Sequence, residues 1–219
     1  MKNIAIITGA SSGMGREFVR QLDGQYDEIW GIGLGQEALD KVKEETKTLF
    51  KGFDLDLTKK ESFEKITSLL KEENPNVQFL ANCSGFGKFG RYDEIDIKDS
   101  ANMVDLNCKA LLMMTEYVLP YMHEGGRIVE IASVAGFQPI PYMAVYGASK
   151  AFVVSYSRAL NQELKSKGIK VTCVCPFWTK TAFFDRAKDT KATNEVVTYY
   201  AAMYKPENVV KKAIKDSRK

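Results

Sequence analysis

Tyr146 and Lys150 stand four residues apart at the entrance to an apolar run, Ala151-Phe152-Val153-Val154, that reads as helix. Four residues is about one helical turn, so both side chains rise from one face. A phenol with its ordinary pKa of about 10 exchanges protons poorly near neutrality. An adjacent ammonium favours the phenolate and lowers that value, as a general acid/base working near pH 7 requires. The pair therefore predicts a tyrosine activated by a lysine. Alone, it fits better a tyrosine capping a core beside a solvated lysine.

The rest of the chain supplies what such a pair would act with. Residues 2–8 are a short β-branched run that breaks into Gly9-Ala10-Ser11-Ser12-Gly13-Met14-Gly15, followed by a helical row of Met14, Phe18 and Leu22. Strand, glycine turn and helix in succession form a dinucleotide cradle. Gly9 permits the tight turn, Gly13 admits a pyrophosphate to the backbone, and Gly15 lets helix and strand pack closely. The helix N-terminus adds N–H groups and partial positive charge.

Strands are expected at 28–33, 48–53, 77–82, 127–131 and 170–175. Helices are expected at 36–45, 59–71, 100–122, 144–167 and 206–216, with Thr58 and Glu61 boxing the start of the third helix. This alternation predicts a single-domain α/β protein over residues 1–219, a doubly wound parallel sheet with six strands evident. Residues from about 177 to 204, rich in Phe and Trp, form a segment over the substrate.

The chain has 219 residues, 45% hydrophobic and 27% charged, with net charge +3. That is an ordinary globular composition with length for a full core. Its basic end (Lys211, Lys212, Lys215, Arg218, Lys219) reads as a solvated helix terminus, so no nucleic-acid partner is expected. Cys83, Cys108, Cys173 and Cys175 lack metal spacing, and one histidine, His123, does not complete a site, so no metal is expected. No signal-peptide pattern and no apolar run of about 20 residues is evident, which predicts a cytoplasmic, reduced protein off the membrane.

The motifs resemble those of the short-chain dehydrogenase/reductase family, of Rossmann type. Thr8 to Gly15 is similar to its T-G-x-x-x-G-x-G loop, Asp56-Leu57-Thr58 to its D-V-T/S element, and Asn82-Cys83-Ser84-Gly85 to N-N-A-G. Asn107 matches its helix asparagine, and Ser133 precedes Tyr146 by the family's thirteen residues. Pro176 to Thr181 resembles P-G-x-x-x-T. The resemblance implies an NAD(P)-dependent oxidoreductase moving hydride between the nicotinamide and a carbonyl or secondary alcohol. Asn107, Ser133, Tyr146 and Lys150 would be its catalytic residues: Tyr146 the acid/base, Ser133 the holder of the substrate oxygen, Asn107 the holder of a relay water. Gly9, Ser11, Ser12, Gly13, Met14, Gly15, Asp56, Leu57, Asn82, Cys83, Ser84, Gly85, Tyr146, Lys150, Pro176, Thr179 and Thr181 would bind cofactor.

Four departures modify this expectation. Cys83 replaces the second asparagine of N-N-A-G, and Phe177 replaces the glycine after Pro176. Leu34, at the end of the second strand, is neither the arginine of many NADP-dependent relatives nor the aspartate of NAD-dependent ones, and Arg16 is a candidate for a 2′-phosphate. NADP is preferred over NAD on that basis. The family's last strand is missing after residue 216, so either the sequence is cut short or six strands suffice. The missing edge strand would remove a tetramer contact that many relatives form, while the dimer contact of helices 100–122 and 144–167 is retained, so a homodimer and a homotetramer both stay open. Phe86, Phe137, Tyr142, Met143, Phe177, Trp178 and Phe184 would wall a pocket for a hydrophobic carbonyl compound. The alternative is a non-catalytic dinucleotide-binding or redox-sensing protein on the same fold.

Overall fold

In β1 (Asn3–Thr8), Ile4 and Ile6 face one side of the sheet while Ala5 and Ile7 face the other, and all four are fully buried. A strand apolar on both faces needs a cover on both. The computed structural model, which describes residues 1–192 and 203–219, supplies both. Helices α1 (Gly13–Leu22), α2 (Gln36–Glu45) and α8 (Pro206–Asp216) share a core with Ala5 and Ile7. On the other face α3 (Lys60–Glu73), α5 (Leu111–Val118) and α6 (Ala144–Glu163) close over Ile4, Ile6 and Trp30.

The sheet has six parallel strands in the order β3-β2-β1-β4-β5-β6, with β2 Glu28–Gly33, β3 Leu49–Asp54, β4 Asn76–Asn82, β5 Arg127–Ile131 and β6 Lys170–Val174. The chain winds outward from β1 to β3, then crosses back to lay β4 on the opposite side of β1. In register, Thr8 lies between Ile32 and Asn82. The order reverses between β1 and β4, and the crevice beyond their carboxyl ends is where an open α/β sheet takes its ligand. Thr8 Oγ accepts hydrogen bonds at 3.0 Å from the N–H groups of both Cys83 and Ser84, tying the two strand ends together.

Two helices differ from expectation. The long helix expected at 100–122 is interrupted. It starts earlier, as α4 (Ile97–Val104), because the Asp96 carboxylate accepts from Lys98 N–H at 2.8 Å. It then widens into a π-helical turn over Asp105–Ala110 before resuming as α5. Thr58 does not cap α3. Asp56 Oδ1 accepts from the Thr58 N–H and hydroxyl at 2.9 and 2.8 Å, so the helix begins after Lys59, with no side-chain cap. α7 (Phe183–Lys188) is the one helix described between β6 and α8. Residues 193–202, part of the segment expected over the substrate, lie outside the described residues. Among the described residues no helix is long and apolar enough to cross a membrane.

Candidate active site

The crevice begins with backbone that only glycine fits. Gly9 has φ +68°, and a Cβ there would stand 3.1 Å from the Cys83 carbonyl carbon. A Cβ on Gly15 would lie 2.1 Å from the Gly9 carbonyl oxygen, well inside contact distance. Where these glycines leave the backbone bare, the N-terminus of α1 opens on a cleft of about 400 Å³. Ser11, Ser12, Met14, Asp56, Leu57, Cys83, Ser84 and Gly85 line it with Gly9, Gly13 and Gly15. A side-chain-free cradle at a helix N-terminus, in a crevice of this size, fits the diphosphate of a dinucleotide. A second cavity of about 170 Å³ adjoins it and shares Met14, Cys83, Gly85, Thr181 and Phe183 with it.

Ser133, Tyr146 and Lys150 all line this second cavity. Ser133 follows β5, where its hydroxyl accepts from Ala135 N–H at 3.2 Å, and Tyr146 and Lys150 lie on the first turns of α6. Lys150 Nζ donates to the Ile131 carbonyl at 2.8 Å and lies 5.8 Å from the Tyr146 ring centroid. Their electrostatics overturn one expectation. Burial pushes the Tyr146 phenol up to about 12, opposed by a hydrogen bond with Ser133. Burial pulls the Lys150 ammonium down to about 8. Desolvation outweighs the Ser133 hydrogen bond, so the phenol is raised and not lowered.

Asn107 is fully buried and does not line either cavity. Its side-chain oxygen accepts from Phe86 N–H at 3.0 Å, and its amide donates to the Phe86 carbonyl at 2.8 Å and to Ser149 Oγ at 3.0 Å. The side chain thus clamps the loop after β4. The π turn that carries it is what aims it there, since π turns re-aim side chains within helices.

Asn82 is also displaced from its expected role. It lines neither cavity, and its amide donates to Thr115 Oγ at 2.9 Å and Glu130 Oε1 at 3.1 Å, beneath the sheet's end. Burial pushes that Glu130 carboxyl up to about 8, against the pull of Thr115 and Asn82. Pro176 and Thr179 line the second cavity, the Thr179 hydroxyl donating to the Phe177 carbonyl at 2.9 Å. Arg16, expected at a 2′-phosphate, is instead paired with Glu45, its Nε donating at 3.2 Å.

Of the expected aromatic wall, Met143, Phe177, Trp178 and Phe184 line the second cavity, and Phe86 lines the cleft. Phe137 and Tyr142 do not; they are 63% and 49% exposed, carried outward by the loop before α6. Gln138, Ile140 and Phe183 take those places. Phe183 stacks obliquely 5.4 Å from the Tyr146 ring, a partner foreshadowed only by the crowding of aromatic residues after Pro176.

The sheet order, the glycine cradle and the polar triplet beside it define a Rossmann-type α/β protein with a nucleotide crevice. Comparison with known proteins makes the class specific. Residues 3–192 match the family described as short chain dehydrogenase, and the chain belongs to that family of oxidoreductases. It is 27% identical over 215 residues to an uncharacterized oxidoreductase of Staphylococcus epidermidis, covering 95% of this chain and 94% of that one. It is 34% identical over 192 residues to sulfoacetaldehyde reductase 2 of Chromohalobacter salexigens, covering 84% and 75%. A short-chain dehydrogenase from Sphingobium yanoikuyae, solved in complex with NADPH, superposes with TM-score 0.85 at 26% identity, covering 100% of this chain and 86% of that one.

Proposed function

We propose that this oxidoreductase binds NADP or NAD along the cleft and reduces a hydrophobic aldehyde or ketone in the adjoining cavity. The observation that carries the reading is the convergence of Ser133, Tyr146 and Lys150 on one cavity that opens on the glycine cradle. The bound dinucleotide supplies hydride, and the related structure holding NADPH supports that assignment. The chain's own part is to seat and protonate the carbonyl oxygen. Ser133 hydrogen-bonds that oxygen and holds it near the phenol. Tyr146, neutral at pH 7, gives up its proton only as the oxygen becomes strongly basic. The Lys150 ammonium then steadies the phenolate.

Ile140, Met143, Phe177, Trp178 and Phe184 give the cavity an apolar wall beside the polar Gln138, Thr179 and Thr181. The NADP preference rests on Leu34, which lines the cleft and brings no carboxylate to repel a 2′-phosphate; Arg16 is engaged elsewhere. Loss of absorbance at the reduced-nicotinamide band, read with each cofactor across a panel of carbonyl compounds, tests the reading. Turnover should appear with apolar ketones or aldehydes. Cofactor binding with no turnover on any carbonyl would favour a sensor.

A further inference from the structure

Among the described residues that line the glycine cleft, Arg186 is the one cation. It stands on α7, across the cleft from the cradle: a Cβ on Gly13 would meet Thr181, two residues before that helix, at 3.5 Å. Its guanidinium lies 3.7 Å from the centroid of the Phe86 ring. A guanidinium resting on an aromatic face spends its planar surface there and keeps its N–H edges for an acceptor. The ring beneath it is fixed, since Phe86 is 2% exposed and Asn107 clamps its backbone at both ends.

Other basic side chains nearby are already committed. Lys88, buried under the same segment, is held by Asp99 at 3.3 Å and Asp189 at 3.2 Å, and Arg16 by Glu45. No carboxylate among the described residues pairs with Arg186. α7 is in turn anchored, as Phe89 N–H donates to the Ala187 carbonyl at 2.8 Å. An oriented cation with free donors thus faces a cradle built for a diphosphate.

We propose that Arg186 is an anion hook: from α7 it binds the phosphates of the dinucleotide lying on the glycine loop. This rests on the dinucleotide reading above. The same guanidinium could meet an acidic group on a substrate, so the probes must carry phosphates without a substrate. ADP-ribose has the diphosphate, and adenosine lacks it. Calorimetric titration of wild type, Arg186→Gln and Arg186→Lys with each, at low and at physiological salt, makes the test. Arg186→Gln should weaken ADP-ribose about tenfold or more, the scale of a lost charge-assisted hydrogen bond. Adenosine should be unaffected, and the salt dependence of ADP-ribose binding should flatten. Arg186→Lys, which keeps the charge and loses the fork, should fall between. ADP-ribose affinity within twofold of wild type in Arg186→Gln would overturn the hook and leave the dinucleotide reading standing. Equal losses for adenosine and ADP-ribose would overturn it too, because the effect would not follow the phosphates. Wild type that binds neither ADP-ribose nor a nicotinamide dinucleotide would overturn both readings.

Discussion

At the residue scale the decisive quantities are the two shifted proton affinities. Tyr146, at about 12, and Lys150, at about 8, are both moved toward their neutral forms by burial. For the proposed reduction the phenol must carry its proton and the lysine its charge. Below about pH 8 both conditions hold; above it Lys150 loses its proton. The pH profile of kcat/KM for carbonyl reduction should therefore be flat below about 8 and fall above it, tenfold per pH unit in the limit. A plateau continuing to pH 10 would separate the lysine's charge from the chemistry. The spacing of Tyr146 and Lys150 was legible because one helical turn fixes which face both share. Their proton affinities were not, since desolvation depends on Phe183, on β5 and on everything else packed around them. Asn82 and Arg16 misled for a similar reason: Glu130 and Glu45, distant in sequence, claim their side chains.

At the scale of elements, β1, the glycine turn and α1 form the unit on which the cleft depends. The Gly15→Ala substitution puts a methyl group against the Gly9 carbonyl, and relief requires α1 to move off the strand. That overpacking should cost about 1–3 kcal/mol of stability and weaken dinucleotide binding strongly. Thermal unfolding together with a fluorescence titration would show it; unchanged affinity would mean that close approach of helix and strand does not shape the cradle. Short apolar, β-branched runs and the 3.6-residue helical period identified every strand and every long helix to within a few residues. They could not reveal the π turn at Asp105–Ala110, which keeps a helical composition while shifting the register of Asn107. Nor could they identify Arg186, which sits in a short helix outside any apolar period.

For the whole molecule, the sheet needs its polar edge settled as well as its core. Glu28, 1% exposed on β2, accepts from Lys51 at 2.9 Å and Trp30 Nε1 at 3.1 Å and is paired with Lys2. Burial alone would raise this carboxyl, but the hydrogen bonds from Lys2, Lys51 and Trp30 overcome it and hold it down to about 2, from 4.5. A depressed carboxylate stabilises the fold above its unfolded value, and that stabilisation is lost as pH falls through the window from 4.5 to about 2. Glu28→Gln should lose roughly 3 kcal/mol at pH 7 and show a shallower acid limb. Acid-unfolding curves of the two proteins read this directly, and superimposable curves would contradict it.

The doubly wound parallel sheet of six strands and its glycine cradle followed from the βα alternation and the glycine turn, because parallel strands with right-handed crossovers leave few arrangements. The substrate cavity was only half legible, since it is assembled from loops that no period governs. The proposed chemistry turns on the Tyr146 proton. The most direct measurement is reduced-nicotinamide oxidation driven by an apolar ketone, in wild type and in Tyr146→Phe, with dinucleotide affinity measured in both. Wild type should turn over, and the variant should fall by about 10²–10⁴-fold or more while binding the dinucleotide within about twofold. A variant as active as wild type would show that the proton comes from elsewhere.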